Sequence, residues 1–191
     1  LIAPLGAGAL YAYTDFGVVF GLIAALLAVA TVGVYLFVQP DETTVEGFAF
    51  ADLAVNARIL TMTTFRAQYA VAVTLVRQWM SILIGVSAAQ GGLAYGSIVV
   101  GAVLSAEKFT NMLTQPYTGR LSDRFGRAPF IVLGGTAYGL VSIAFPFISD
   151  VEPLISVELP VVGTVGGAVF AALVLNGLLG IADGFREPSS M

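Results

Sequence analysis

Four stretches without a single charged residue set the strongest constraint on how this chain can fold. They cover residues 16–40, 78–106, 128–149 and 159–182. Each is longer than the ~20 residues that an α-helix needs to cross ~30 Å of hydrocarbon, and one signal peptide cannot account for several such runs. Only 10% of the residues are charged, against about 25% in soluble domains. The sequence therefore predicts an all-α, polytopic membrane helical bundle.

The polar residues between these runs divide the chain into five full transmembrane spans plus the end of a sixth. We expect residues 1–13 to end a helix, and spans at residues 18–38, 59–83, 93–117, 129–147 and 161–185. Residues 40–57 form the longest polar connection, in which residues 45–55 are compatible with an interfacial helix. Residues 85–92 are a turn of small residues, and residues 150–160 an acidic loop. Because residue 1 lies inside an apolar run, we expect a piece of a longer protein.

Glycines four residues apart recur along the chain. In lipid such pairs let helix backbones approach closely, either for ordinary bundle packing or to let helices slide during transport. They occupy positions 17/21, 92/96, 135/139, 163/167 and 180/184.

The composition excludes several kinds of chemistry. The chain has neither cysteine nor histidine, which excludes thiol catalysis, disulfides, imidazole metal sites and histidine proton relays. A net charge of −4 argues against nucleic acid as a partner. No Ser/His, His/Glu or clustered Asp constellation is present, so we expect no enzyme activity, no cofactor and no metal site.

Charged residues in the predicted loops are segregated by sign. Numbering the loops alternately places five arginines on one side, namely Arg58, Arg120, Arg124, Arg127 and Arg186. The other side carries acidic residues and no Lys or Arg, namely Asp15, Asp150, Glu152 and Glu158. Short cytoplasmic loops of membrane proteins carry an excess of Lys and Arg, so the arginine-rich side is predicted to be cytoplasmic.

Three of these arginines belong to one compact segment, Gly119-Arg120-Leu121-Ser122-Asp123-Arg124-Phe125-Gly126-Arg127. The segment resembles the cytoplasmic loop signature of the Major Facilitator Superfamily, Gly-x-Leu-(small)-Asp-Arg-x-Gly-Arg, and departs from it at Ala128, where a further basic residue is usual. The resemblance implies a loop that contacts both halves of a transporter at the cytoplasmic face. It assigns that role to Gly119, Arg120, Asp123, Arg124, Gly126 and Arg127.

The order of spans around this segment resembles the order around the second copy of the signature in the family. This resemblance implies that the chain runs from the end of helix five to helix ten. Residues 1–38 would then end the N-terminal half, residues 39–58 would form the central cytoplasmic loop, and residues 59–191 would belong to the C-terminal half. Pro4-Leu5-Gly6-Ala7-Gly8 also resembles the Gly-Pro-x-x-Gly-Gly motif of exporters, with alanine at positions 3 and 7 in place of glycine. A multidrug or efflux-type member, or a sugar-type member, is implied.

Charged residues inside the predicted spans are the candidate cavity and coupling residues, since each costs about 3 kcal/mol at mid-bilayer unless paired or hydrated. Glu107 lies about 20 Å from Arg120 along its helix. Arg66 and Arg77 lie about 12 and 28 Å from Arg58, on one helix face. Either arginine could pair with Glu107, whereas Lys108 points about 100° away. The alternatives are a structural ion pair and a protonatable or substrate-contacting carboxylate.

Other polar residues are weaker candidates for a functional site. Gln68, Tyr69, Gln78 and Asn111 could contribute to a cavity. Asp183 and Arg186 are three residues apart, so they lie on neighbouring helix faces. They form either a locally paired cytoplasmic helix end or a gate contact with another loop.

These features predict a secondary active transporter of a small solute that works by alternating access in the plasma or inner membrane. Proton coupling is expected at Glu107, the one carboxylate deep in a span, and efflux by antiport is one mode. The predicted partners are a small-molecule substrate, a proton, the lipid bilayer and the remaining helices of the transporter. A non-transporting membrane scaffold or receptor is the alternative.

Overall fold

The computed structural model describes residues 2–37 and 57–187, which form two compact units. Residues 2–15 and 77–187 belong to the first unit, and the described residues between 16 and 76 belong to the second. Six α-helices make up most of the described chain: α1 (Ile2–Tyr13), α2 (Phe16–Phe37), α3 (Ala57–Gly85), α4 (Ser97–Phe125), α5 (Arg127–Ile143) and α6 (Gly167–Arg186).

The second unit contains α2 and the part of α3 that precedes Arg77. α2 has no charged residue, and large apolar side chains are exposed along its whole length. Aromatic rings one turn apart contact each other on both helices, Phe16 with Phe20 and Phe65 with Tyr69. A helix that is apolar on every face belongs in a protein core or in lipid, which fits the span predicted for residues 18–38.

The first unit is built around α6. This helix packs against α4, α5 and a 3-10 segment, Phe145–Leu154. Its buried side chains are mostly small, among them Ala168, Ala172 and Ala182. Phe185 of α6 stacks on Phe130 of α5 with 5.8 Å between ring centroids. Small residues on α6 therefore allow three elements to pack closely around one helix.

The contact between α4 and α6 is the closest of these. Thr110 donates a hydrogen bond to the carbonyl oxygen of Gly177 at 2.7 Å, and Thr118 donates one to that of Gly184. A Cβ atom at Gly180 would overlap the carbonyl oxygen of Glu107. Later residues of α6 meet later residues of α4, so the two helices run parallel.

α1 crosses α4 antiparallel, also through glycine. Ser97 at the start of α4 donates a hydrogen bond to the carbonyl oxygen of Gly8 at 2.8 Å. One turn along, Gly101 lies against the carbonyl group of Pro4, so that a Cβ there would come within 2.6 Å of its oxygen. The backbones of the two helices are therefore in direct contact.

One hydrogen-bonded group fixes the first turn of α6. A two-stranded antiparallel hairpin, β1 (Ser156–Leu159) and β2 (Gly163–Gly166), leads directly into that helix. Glu152 accepts a hydrogen bond from the hydroxyl of Tyr95 at 2.5 Å and one from the backbone N–H of Ala168 at 3.0 Å. The Tyr95 oxygen in turn accepts one from the N–H of Gly166 at 2.7 Å. Carboxylates favour helix N-termini because unpaired N–H groups and the helix dipole converge there.

The helices lie where the sequence predicts spans, but several boundaries differ, and α4 begins at Ser97 rather than at residue 93. The signature segment is helical rather than a loop: α4 continues to Phe125, α5 starts at Arg127, and Gly126 alone joins them with φ +91°. The fourth span ends early, since the chain bends by 50° between Ile143 and Phe145, and Pro146 then lacks the N–H that a continuing helix needs. The acidic loop is replaced by the 3-10 segment and β1, so the last helix begins at Gly167 rather than at residue 161.

Not every predicted span is apolar enough to be recognised as a transmembrane helix by length and composition alone. Among the described residues, α2 and α6 are long and apolar enough to cross a membrane, and α5 with the 3-10 segment makes a third if the bent pair is one span. α3 and α4 have 29 residues each, a length that exceeds the membrane thickness. Charged residues lower their apolar character. Of the central loop predicted at residues 39–58, residues 39–56 lie outside the described residues, as does the interfacial helix predicted at residues 45–55, whereas residues 57 and 58 already belong to α3.

Replacing Gly180 with alanine should loosen the contact between α4 and α6. The new methyl group would meet the backbone oxygen of Glu107, which cannot move without distorting α4. Overpacking of this kind costs about 1–3 kcal/mol, so the melting temperature of the detergent-purified protein should fall. Gly139→Ala is the matched control, because nothing lies within 4 Å of the added Cβ. Equal effects of the two substitutions would contradict the close contact.

Replacing Tyr95 with phenylalanine should destabilise the fold at neutral pH. The hydroxyl joins Glu152 to the N–H of Gly166, and an unpaired polar group costs about 1–3 kcal/mol. Burial, and then the hydrogen bond to Glu152, raise the pKa of Tyr95 above its ordinary 10.0. A raised pKa means that the folded state favours the protonated phenol. The stabilisation is therefore complete below pH 10.0 and is lost as the pH rises through the higher value.

Thermal melts of wild type and Tyr95→Phe across alkaline pH check this prediction, and the difference between the two proteins should shrink as the pH rises. Tyr117→Phe is the control, because the Tyr117 side chain is largely exposed. A difference that stays constant with pH would show that the hydroxyl acts in some other way.

Candidate functional site

The core of the first unit contains an ion pair between α3 and α4. Nε of Arg77 lies 3.0 and 3.1 Å from the two carboxylate oxygens of Glu107, and Nη2 lies 2.5 Å from Oε1. The Glu107 side chain is 2% exposed and that of Arg77 is 33% exposed. Such bidentate contacts between a guanidinium and a carboxylate are among the strongest hydrogen-bonded ion pairs in proteins. Of the two arginines that the sequence offered, Arg77 is the partner of Glu107.

α6 adds a second carboxylate to the same guanidinium. Nη2 of Arg77 lies 3.4 Å from Oδ2 of Asp183, whose side chain is 1% exposed. The other oxygen, Oδ1, accepts a hydrogen bond from Nη2 of Arg186 at 2.9 Å. Glu107, Arg77, Asp183 and Arg186 thus form one chain of alternating charges, which we call the charge cluster. It ties α3, α4 and α6 together.

Amide side chains extend the cluster along α4. Gln115 donates hydrogen bonds to Asn111 Oδ1 at 2.7 Å and to Glu187 Oε2 at 2.6 Å, and Asn111 donates one to the same Glu187 oxygen at 3.3 Å. Glu107, Asn111 and Gln115 are spaced by four residues, so they share one face of α4. Asn111 is therefore the one member of the weaker candidates that joins the site.

The surroundings of Glu107 supply further groups. Arg77 reaches it from α3, Asp183 and Arg186 belong to α6, and Tyr138 of α5 lies close enough to interact electrostatically with all four members of the charge cluster. Removing Arg77 would leave Glu107 buried without the one cation that contacts it among the described residues. An isolated buried charge is costly, so Glu107 depends on this contact with Arg77.

The signature segment lies at the far end of α4. Arg127 Nη2 is 4.0 Å from Asp123 Oδ1, with both side chains mostly exposed, and exposed pairs of this kind contribute little stability. The Arg124 guanidinium carbon lies 5.5 Å from the centroid of the Phe125 ring, and Arg120 is exposed. Ser122, by contrast, is buried and donates to the carbonyl oxygen of Gly119 at 2.9 Å. The segment thus presents cations on its surface and a small residue toward the core.

Comparison with known families gives one match. The chain matches the Major Facilitator Superfamily over residues 1–185. The chain belongs to the Major Facilitator Superfamily. No curated protein matches it, and no solved structure matches it.

Membership settles several expectations. Proteins of this superfamily are helical membrane bundles that transport small molecules, and the helical content of the chain agrees with that fold. The chain is accordingly a multi-pass membrane protein of a transporter family. The signature residues lie at a helix–helix connection, between α4 and α5, as the resemblance implied, although they form helix rather than loop.

The candidate gate residues Asp183 and Arg186 lie in the last turn of α6, which ends at Arg186. The Arg186 side chain is 12% exposed and is bound to Asp183. Gly184 lies beside Thr114 and Thr118 of α4, so this turn packs against α4 inside the bundle. The predicted pairing of Asp183 with Arg186 is confirmed.

Two candidate cavity cations stay outside the charge cluster. Lys108 is half-buried on another face of α4, and no described carboxylate lies within 4.0 Å of it. Arg66 belongs to the second compact unit, where its side chain is exposed. Gln68 and Gln78 are exposed, and Tyr69 is half-buried. The cluster therefore uses Glu107 and Arg77 from the predicted set, plus the two residues predicted as a gate.

Removing Arg77 should destabilise the protein more than removing Arg77 and Glu107 together. Arg77→Gln leaves a buried carboxylate without its cation, which costs about 3 kcal/mol, the low end for buried pairs because Arg77 is partly exposed. In the double variant with Glu107→Gln, both charges are gone, so much of that loss should be recovered. Melting temperatures of the four proteins in a double-mutant cycle measure the coupling. Additive single effects would show that the two side chains do not depend on each other.

Proposed function

We propose that this chain forms part of a secondary active transporter that moves a small solute by alternating access between two helical halves. In this assignment residues 1–38 end the first half, residues 39–58 connect the halves at the cytoplasmic face, and residues 59–191 belong to the second half. The contact of α1 with α4 supports it, because Gly8, Gly101 and Ser97 bring the two backbones together. A contact without intervening long side chains can change its crossing angle with little repacking.

We further propose that transport is coupled to protons at Glu107. The observation that carries this proposal is a carboxylate that is 2% exposed and is held by one partly exposed guanidinium from another helix. α4 is continuous from Ser97 to Phe125, so Glu107 lies about 20 Å from Arg120 along the helix axis, near the middle of a bilayer. Ionisable groups at that depth commonly mark proton or substrate pathways.

Asp183 is a less suitable proton site. It is bound by Arg186 at 2.9 Å and approached by Arg77 at 3.4 Å, so it has two cations beside it. Glu107 depends on Arg77 alone among the described residues. When Arg77 moves toward Asp183, Glu107 loses its cation and Asp183 retains both. The geometry therefore supports Glu107 as the group that gains and loses the proton.

Direction and location are parts of the same proposal. The segment from Pro4 to Gly8 lies within α1, and its resemblance to the exporter motif supports efflux as the direction of transport. We place the protein in the plasma or inner membrane, with the signature segment on the cytoplasmic side. Arg120, Arg124 and Arg127 support this orientation, because their side chains are exposed at the α4–α5 connection.

Glu107→Gln in the complete natural protein should abolish the response of solute flux to an imposed pH gradient. Glutamine keeps the size and hydrogen bonding of a protonated carboxyl group but cannot exchange a proton. The flux of labelled sugars, organic acids and cationic dyes through proteoliposomes measures the effect. Glu158→Gln is the control, because that side chain is exposed on β1. An unchanged pH response in Glu107→Gln would remove the proton role.

A further inference from the structure

Arg77 is the most exposed member of the charge cluster. Arg77 uses Nε and Nη2 for Glu107 and Asp183, and its Nη1 has no partner among the described residues. The two carboxylates are 2% and 1% exposed, while Arg77 is 33% exposed. A solute that reaches the cluster therefore meets N–H donors on a cation first.

We propose that the transported solute carries an anionic oxygen group, a carboxylate or a phosphate, which binds Nη1 of Arg77. This inference rests on the proposed function, in which the cluster contacts the solute and Glu107 takes the proton. Guanidinium groups suit both anions because their planar N–H donors match the geometry of the oxygen atoms. The inference names the chemical class of the solute, which the family does not specify.

A cationic solute fits the same geometry poorly. Within the charge cluster it would have to reach Glu107 or Asp183, yet these carboxylates are only 2% and 1% exposed and both are in contact with Arg77. If the cationic solute displaced Arg77, the solute and the guanidinium would compete for the same carboxylate. A neutral solute could accept a hydrogen bond from Nη1, but it would not offset the charge of the guanidinium.

The charges of the cluster determine when the anion can bind. In the ionised state Glu107 and Asp183 offset Arg77 and Arg186. Glu187 at the edge is held by the amides of Asn111 and Gln115, and Tyr138 faces the cluster from α5. An added anion would therefore give a buried excess of negative charge, which is costly in a medium of low dielectric constant.

Protonation of Glu107 removes this obstacle. The proton converts the carboxylate to a neutral carboxyl group and weakens its contacts with Nε and Nη2 of Arg77. The charge of the cluster rises by one unit, and Arg77 becomes available to the anion with Asp183 still beside it. Proton and anion then bind together, so the coupling is symport rather than the antiport expected from the exporter-like segment. Efflux in this mode is driven by the gradient of the acid itself.

Matched pairs of acids and amides test the inference, since each pair differs chiefly in charge. The shift in melting temperature of the complete purified protein would be measured with lactate and lactamide, benzoate and benzamide, and glycerol 3-phosphate and glycerol, with choline as a cation. We expect at least one acid, and not its uncharged partner, to stabilise the protein, and to do so more strongly at acidic pH. A panel in which no acid is distinguished from its partner, or in which choline alone stabilises, would overturn the inference.

Two variants separate this inference from the proton role. Glu107→Gln mimics the protonated state and should bind the acid at every pH, whereas Arg77→Gln in that background should weaken binding about tenfold or more, the effect of losing a charged hydrogen bond. The double variant lacks both members of the ion pair, so no buried carboxylate is left without its cation. Acid binding that persists in the double variant overturns the anion inference. Acid binding that keeps its pH dependence in Glu107→Gln overturns the proton role and leaves the anion site standing.

Discussion

The contact of Arg77 with Glu107 is the interaction on which the rest of the site depends. A carboxylate in the middle of a membrane bundle costs about 3 kcal/mol or more unless a cation offsets it, and Glu107 is almost fully buried. The same guanidinium also lies near Asp183, so it interacts with the negative charge that α6 contributes. One side chain thus contacts two buried acids on two different helices.

Close helix packing makes this sharing possible. Because Gly180 has no side chain, α6 can lie directly against the backbone of α4 at Glu107, and Asp183 follows one turn later on the same helix. Thr110 and Thr118 hold the two helices in register by donating to carbonyl groups of α6. At the other end of α6, Glu152 and Tyr95 fix the first turn. The α4–α6 pair therefore presents its carboxylates to the end of a long arginine side chain on α3.

Much of the fold could be predicted from the sequence because lipid imposes simple rules on length and charge. Uncharged runs located the helices, and the residues from Gly119 to Arg127 indicated the family. The helix and loop boundaries that were predicted wrongly depend on interactions between neighbouring elements. Arg120 to Phe125 favour helix once α4 is already formed, and Ser156 to Leu159 form a strand because β2 lies opposite.

The site was only partly predictable for a related reason. Glu107 stood out because it is charged within an apolar span. Asn111 was a weaker candidate and Gln115 was missed, although their spacing of four residues could have indicated a polar face with Glu107. Asp183 and Arg186 were predicted at a helix end and lie there, since α6 ends at Arg186. The contact of Asp183 with Arg77 was not predicted. It depends on how far α6 is shifted along α4, which is set by Gly180 and Gly184 together. This shift depends on how two helices pack, so the sequence of one helix alone does not determine it.

Infrared difference spectroscopy across a pH titration tests the central claim most directly, because the carbonyl stretch of a protonated carboxyl group reports its own proton. If Glu107 is the proton site, acidification should produce such a band in the wild type and in Asp183→Asn, and the band should be missing in Glu107→Gln. A band that survives in Glu107→Gln and disappears in Asp183→Asn would contradict the account, since it would place the proton on the carboxylate that two arginines hold.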